Sequence, residues 1–426
     1  MNKVVRFTDS LLGEVTLPAD KSIAIRSALM AALSNGTSQI VNFPNSADPQ
    51  SALSCLRQLG VSIEEDEDGI LVVEGVGLHG LKPADAPIDC GNSGTTMRLI
   101  SGILAGQAFD SVLTGDASLN SRPMKRIANP LKEMGASLEL TDGLPPIHIK
   151  GGQAMKGIDY TLPMASAQVK SCVLLAGLYA EGETTVIESK PSRDHTERML
   201  GLNTLQMNGL RHISINEGHT IPAGTWAVPR DFSAAAFFLV AGAIIPHAEI
   251  KIRGVGINTS RSALLDVLRA MGANIVLENE RSHAGEPIAD ITVRSSRLHG
   301  VKISGDVIPI LIDEIPILTV AAAFAEGRTE IREAEELRVK ETDRIDAMVK
   351  NMRLLGADIE EFEDGMAITG GKALKGTTVE SYDDHRIAMA MGVAGLACEG
   401  EMCIKDAECA SISFPGFWEQ LENLVV

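Results

Sequence analysis

The sequence predicts an α/β fold built as two similar domains, each of three βαβαββ units. Three observations predict it. The first is length: 426 residues are more than one hydrophobic core usually serves, so two or three domains are expected. The second is a sixfold internal repeat. An Ala-rich apolar run ends at a small or breaking residue, and a β-branched strand follows. The copies are SALMAALSNGTSQIV, ISGILAGQAFDSVL, VLLAGLYAEGETTVI, FFLVAGAIIPHAEIKI, VAAAFAEGRTEI and MGVAGLACEGEMCI, with breaks at Gly36, Gly106, Gly182, Pro246, Gly327 and Gly400. Glycine there is expected to stop each helix in the left-handed conformation. The third observation is a second periodic element. LRQLGVSIEE, LKEMGASLEL, LQMNGLRHIS, LRAMGANIVL and MRLLGADIEE read as helices ending at Gly60, Gly135, Gly209, Gly272 and Gly356. A strand follows each, and often a second one, such as ILVVEG, IHIKGG, ITVRSS or MAITGG.

Each unit therefore reads strand, helix, strand, helix, strand, strand, and the sixth breaks off after FPGFWEQLENL. Units of ~70 residues holding both helices and strands are too long for most solenoids, so two domains of three units are the economical solution. GEVTLPAD is read as the strand before the first full unit, and GTWAVPRDFS as opening the fourth. Crossovers fall near Asp20 and Pro229. The expected domains are residues 20–229, holding units 1–3, and residues 1–19 with 230–426, holding units 4–6.

Composition narrows the function classes. With 38 Lys and Arg against 56 Asp and Glu, the formal net charge is −18, which argues against a nucleic-acid partner. Hydrophobic residues at 45% and aromatics at only 4% imply a large core of Ala, Leu, Ile, Val and Met. The longest uncharged run, FSAAAFFLVAGAIIPHA, falls short of the ~20 residues a membrane span needs, and is read as a buried helix. MNKVVRFTDS has neither the apolar run nor the cleavage site of a signal peptide, so a cytoplasmic location is expected. Cys55, Cys90, Cys172, Cys398, Cys403 and Cys409 form no CxxC pair and no zinc pattern, and read as reduced, buried thiols.

Polar residues gather where the first helix of each unit begins: Lys21-Ser22, Asn92-Ser93-Gly94-Thr95, Ser166-Ala167-Gln168, Asp231-Phe232-Ser233, Asp313-Glu314 and Asp384-His385-Arg386. Ser, Asn and Asp are ordinary N-caps. Capping does not call for Lys21, Arg26, Gln168 or Arg386. Cations near a helix N-terminus oppose the macrodipole unless an anion sits between them, and free N–H groups beside Lys or Arg suit phosphate or carboxylate. The second helices repeat the idea with Ser121-Arg122-Pro123, Ser192-Arg193-Asp194 and the run Arg338 to Arg344. In that run, Lys340 and Arg344 are expected to share a helix face, with Glu341 turned roughly 100° away. A basic, anion-binding cleft in an acidic protein is the reading these positions support.

Other chemistries lack support. Gly75-Val-Gly77-Leu-His-Gly80 fits a dinucleotide fingerprint, but LKPADAP follows it rather than a helix. There is no GxxxxGK[ST], no HExxH and no GxSxG, so no nucleotide cofactor, metal or serine nucleophile is expected.

The blocks GEVTLPADKSIAIRSALMAA, DCGNSGTTMRLI, LTGDASLNSRPM, LPMASAQVKSCVLLAGL, RVKETDRI and YDDHRIAMA, all in order, resemble the 5-enolpyruvylshikimate-3-phosphate synthase (3-phosphoshikimate 1-carboxyvinyltransferase) branch of the enolpyruvyl transferase family. SAQVKS with SRDHTERML is similar to the form common in Gram-positive and some other bacteria. The resemblance implies two domains of three βαβαββ units that close over the substrates, and usually a monomer. It implies transfer of the enolpyruvyl group of phosphoenolpyruvate to the 5-hydroxyl of shikimate 3-phosphate, releasing phosphate, in the shikimate pathway of aromatic amino acid biosynthesis. The route is addition–elimination through a tetrahedral intermediate without a metal or other cofactor. Carried over residue by residue, shikimate 3-phosphate is expected at Lys21, Ser22, Arg26, Ser166, Ala167, Gln168, Arg193, Asp313 and Lys340. Phosphoenolpyruvate is expected at Lys21, Asn92, Gly94, Thr95, Arg122, Gln168, Arg344 and Arg386. Lys21, Asp313 and Glu341 are the catalytic candidates, with Asp313 the base and Glu341 with Lys21 delivering the proton.

Departures from the better-studied branch are specific. The segment CASISFPGF lacks the Lys expected before Phe-Pro, Ala167 replaces a Ser, and Glu336 stands where that branch has Asn. Gly94 is retained, which implies inhibition by glyphosate. The related transferase acting on UDP-N-acetylglucosamine expects a reactive Cys in the loop GDASLNSRPM, which has none. A non-catalytic scaffold that merely binds anions is the remaining alternative.

Overall fold

The computed structural model describes residues 1–426, which divide into two compact units. The C-terminal unit comprises Met1–Pro18, Arg230–Ser282 and Pro287–Val426; the N-terminal unit comprises Ala19–Pro229 and His283–Glu286. Each has its own hydrophobic core, around Phe238, Leu318 and Met391 in the former and Leu29, Ile100 and Leu174 in the latter. Mixed α/β units of this kind follow from the alternation of buried helices and short strands.

Five of the six sheets have four strands in one order. In the third repeat, Asp159–Thr161 runs parallel to Glu183–Glu188, which pairs antiparallel with Leu210–Asn216; Thr204–Met207 completes the sheet. A parallel neighbour demands a crossover, supplied by the helix Ala167–Gly177, whereas the last two strands need only a hairpin. The sixth sheet has three strands, and Lys3–Arg6 lies antiparallel on Glu401–Lys405.

The lead strands of the first and fourth repeats are exchanged, which corrects the sequence reading. Leu12–Val15 of GEVTLPAD pairs parallel with Glu249–Gly256, in the sheet of the fourth repeat. Thr225–Ala227 of GTWAVPRDFS pairs parallel with Asn35–Val41, in the sheet of the first. Backbone bonds hold the exchange: Asp20 N–H donates to Pro229 O in the N-terminal unit, and Asp231 N–H donates to Pro18 O in the C-terminal unit.

Each unit contains three helices buried on nearly all sides: Lys21–Leu33, Gly94–Ala105 and Ala167–Gly177 in one, and Phe232–Ile244, Ile315–Ala323 and His385–Ala397 in the other. Their Ala, Gly and Leu content leaves no polar face to keep wet. Small residues also allow close approach; a Cβ at Gly102 would sit 2.3 Å from the carbonyl oxygen of Cys172. No helix is long and apolar enough to cross a membrane. Five of the six cysteines are buried and Cys403 is partly so.

Amphipathic outer helices Ala47–Gln58, Lys125–Glu133, Ala263–Ala270 and Arg344–Leu354 precede Gly60, Gly135, Gly272 and Gly356, all at positive φ. The third repeat differs. LQMNGLRHIS is a β-hairpin, not a helix: Asn208 (φ 53°) and Gly209 (φ 78°) turn between Thr204–Met207 and Leu210–Asn216. Asn-Gly suits the two positive φ values of a two-residue hairpin turn, and Leu205, Gln206 and Met207 are all exposed, so no buried helix face exists. The helix of that repeat is the short His195–Met199. Gly106 likewise does not end its helix in the left-handed region; its φ is −91°, and the room it leaves is taken by the ring of Tyr179.

Candidate active site

In the N-terminal unit the three buried helices begin with capped N-termini. Asp20 accepts from Ile23 N–H at 2.8 Å, Ser93 from Thr96 N–H at 3.3 Å and Ser166 from Val169 N–H at 3.4 Å. Lys21 opens the first helix, half exposed, with its Nζ 2.9 Å from Asp48. One turn on, Arg26 is buried; it donates to Thr196 Oγ1 (2.8 Å), to Ser171 Oγ (3.0 Å) and to the carbonyl of Ser22 (2.9 Å). Burial pulls its pKa down to about 10 against the opposing pull of Asp20, Glu197 and Glu286, and nearby Arg193 lowers it further. Two like charges held close in a poorly solvated place favour an anion between them.

The second cluster of this unit is joined through Gln168. Its Nε2 donates to Thr95 Oγ1 at 3.0 Å, and its Oε1 accepts from Arg98 Nη1 at 2.6 Å. Arg122 donates to Asn92 Oδ1 (2.8 Å) and Ser118 Oγ (3.1 Å), and Asn92 in turn donates to Asp116 (2.8 Å). Gly94 lies against both arginines: a Cβ there would come within 2.9 Å of Arg98 Nη1 and 3.5 Å of Arg122 Nη1. Ala167 contributes its carbonyl, which accepts from Ser171 Oγ.

Arg98 was missed in the sequence. It is buried, makes no ion pair, and its Nε has no hydrogen-bond partner. Burial, then Arg126 and Arg122, push its pKa down to about 9, which leaves it charged at neutral pH. The available signal was a lone cation inside the apolar run MRLISGILA.

In the C-terminal unit the site is built around Asp313. Its carboxylate lies 3.7 Å from Arg261, 3.6 Å from Arg344 and 3.5 Å from Arg386, and its backbone oxygen accepts from Arg386 Nη1 at 3.0 Å. Arg344 is almost wholly buried. It donates through Nε to Asp384 (2.7 Å) and through Nη2 to Glu341 (2.6 Å). Although burial works against its charge, Asp384, Glu341 and Asp313 together raise its pKa. Asp384 also caps its helix by accepting from Arg386 N–H at 2.8 Å. His385 is pushed down to about 4, chiefly by burial and then by Arg386. Glu314, fully buried and hydrogen-bonded by Ser233, has its pKa raised by burial, with Arg261 and Arg386 opposing and Asp313 adding to the rise. Arg261 and Glu314 also escaped the sequence reading as a pair, because 53 residues separate them.

One expectation fails here. Lys340 and Arg344 do not share a helix face. Lys340 is an extended residue (φ −80°, ψ −152°) between the 3₁₀ turn Glu335–Val339 and a helix that begins at Arg344, capped by Asp343. Asp343 competes for the helix start and wins, because its side chain satisfies Asp346 N–H at 3.0 Å. Lys340 pairs instead with Glu336, and Glu341, rather than turning away, bonds Arg344.

The chain thus carries a cation-rich cradle of helix N-termini in one unit and a carboxylate ringed by guanidinium groups in the other. Such arrangements can hold anions. The family profile of EPSP synthase (3-phosphoshikimate 1-carboxyvinyltransferase) matches residues 5–421. The 3-phosphoshikimate 1-carboxyvinyltransferase of Salinibacter ruber is 60% identical over 420 residues, covering 98% of each chain. That of Thermodesulfovibrio yellowstonii is 50% identical over 430 residues, covering 100% of both. Among solved structures, EPSP synthase from Acinetobacter baumannii superposes with a TM-score of 0.93 at 45% identity, covering 100% of this chain and 98% of that one.

Proposed function

Because this chain belongs to the EPSP synthase family, a family of transferases, we propose that it transfers the enolpyruvyl group of phosphoenolpyruvate to the 5-hydroxyl of shikimate 3-phosphate and releases phosphate. The reaction serves the shikimate pathway and aromatic amino acid biosynthesis. The observation that carries this reading is the density of cations at the site positions of an acidic chain: Arg26 with Arg193, Arg98 with Arg122, and Arg261, Arg344 and Arg386 around Asp313.

Both substrates are anions, and each needs fixed positive partners. In this reading shikimate 3-phosphate is bound by Lys21, Ser22, Arg26, Ser166, Ala167, Gln168, Arg193, Asp313 and Lys340. Phosphoenolpyruvate is bound by Lys21, Asn92, Gly94, Thr95, Arg122, Gln168, Arg344 and Arg386. Guanidinium at 122, 344 and 386 offers two-pronged grips on carboxylate and phosphate that an ammonium cannot. The units 20–229 and 1–19 with 230–426 act as the two domains of one monomeric enzyme.

The chemistry is proton transfer plus electrostatic stabilisation. Asp313 accepts the proton of the 5-hydroxyl as that oxygen bonds to C2 of phosphoenolpyruvate. Glu341 or Lys21 gives a proton to the methylene carbon, which becomes a methyl group. The tetrahedral adduct then expels phosphate while a base removes a methyl proton, restoring the double bond. The guanidinium groups of Arg261, Arg344 and Arg386 fix the position of the Asp313 carboxylate, at some cost to its strength as a base. Glu341 is half exposed beside Arg344. Steady-state turnover with the two substrates tests the reading; the absence of phosphate release would refute it.

A further inference from the structure

We infer that Lys170 is a positioning residue, which sets the loop Ser189–Asp194 so that Arg193 can meet shikimate 3-phosphate. The inference rests on the assignment of Arg193 to that substrate.

Lys170 lies one turn into the helix Ala167–Gly177, among Val169, Cys172, Val173 and Leu174, and has no exposed surface. Its Nζ is 2.7 Å from Glu197, 3.0 Å from Glu188 and 3.4 Å from the carbonyl oxygen of Ser192. These three partners are the residue before the loop, a residue inside it, and a residue of the helix after it. Ser192 is tied a second time, its hydroxyl donating to Glu188. The loop has no helix or strand of its own, and this ammonium group ties its middle to both flanks.

The adjacent residue continues the network toward the substrate. Ser171 Oγ is 2.6 Å from Thr196 Oγ1, and Arg26 donates to both hydroxyls. Lys170 and Ser171 therefore fasten Arg193 and Arg26 to the helix that opens with Ser166, Ala167 and Gln168. A buried ion network is a poor source of stability, since packed apolar side chains of similar size often do as well. What it supplies is a single geometry. Arg211, 3.5 Å from Glu188, balances the second carboxylate, so the network is neutral. Burial raises the pKa of Glu197 against the pull of Lys170, which favours its neutral form and suits replacement by an amide.

The test uses the charge-balanced variant K170M/E197Q, the variant R193A and their combination, read in the full-length enzyme by KM for each substrate and by kcat. R193A is expected to raise KM for shikimate 3-phosphate. K170M/E197Q is expected to raise it roughly five- to fiftyfold, with kcat and KM for phosphoenolpyruvate within about twofold of wild type. In the R193A background the pair should add almost nothing. A folded K170M/E197Q enzyme with unchanged KM, or effects that multiply in the combination, would overturn the role of Lys170 while leaving the substrate assignment intact. An unchanged KM in R193A would overturn both. Should the double variant fail to fold, Lys170→Arg keeps the charge while displacing the donor from the Ser192 carbonyl; a severalfold rise in the same KM supports the inference, and no rise refutes it.

Discussion

Arg344 Nε donates to Asp384 Oδ2 at 2.7 Å, and both side chains are almost completely buried. The pair does two jobs, because Asp384 also caps the helix that carries Arg386. Asn keeps the cap but removes the charge. Asp384→Asn should therefore cost roughly 2–3 kcal/mol, less than a wholly abandoned buried cation because Glu341 and Asp313 remain beside Arg344. A shift of the denaturant midpoint at constant slope measures it.

Asp313→Asn and Glu341→Gln keep shape while removing the proposed proton acceptor and a proposed proton donor. Each should lower kcat by about 10²–10⁴-fold with much smaller changes in KM. Full activity in both variants would favour a protein that only binds anions.

Gly94→Ala places a methyl group 2.9 Å from Arg98 Nη1 and 3.5 Å from Arg122 Nη1. Displacing those groups should cost roughly 1–2 kcal/mol of phosphoenolpyruvate binding. The wild-type enzyme is expected to be inhibited by glyphosate, and the variant to resist it. Wild-type turnover undiminished by millimolar-scale herbicide would contradict this.

His385 gives a pH signature. Its folded pKa, about 4, lies below the ordinary value of 6.5, so the unfolded chain binds this proton first as pH falls. The histidine's contribution to stability is complete above the unfolded pKa and declines from there down to pH 4. The loss between pH 7 and pH 5 should be about 2 kcal/mol. Comparing pH-dependent unfolding of the wild type with His385→Gln isolates it; equal slopes would refute the assignment.

The sequence carried the sixfold repeat, the buried helices and their capped starts, because periodic apolar runs and N-cap residues are local signals. It failed where a competing local preference won. Asn208-Gly209 made a hairpin of an apparent helix, and Asp343 moved a helix start past Lys340. The expected domain bounds put Leu12–Val15 with units 4–6 and Thr225–Ala227 with units 1–3, but which strand each pairs with was not legible, since they pair by tertiary contact rather than by chain order. Lys170, Arg98 and Arg261 were hidden for another reason: a cation in an apolar helix or loop says nothing of its partners until the chain is folded.

Phosphate release on mixing the protein with phosphoenolpyruvate and shikimate 3-phosphate, beside a parallel reaction with UDP-N-acetylglucosamine as acceptor, tests the central claim most directly. Release with shikimate 3-phosphate alone is the predicted result. Release only with UDP-N-acetylglucosamine, or binding of both anions without release, would contradict it.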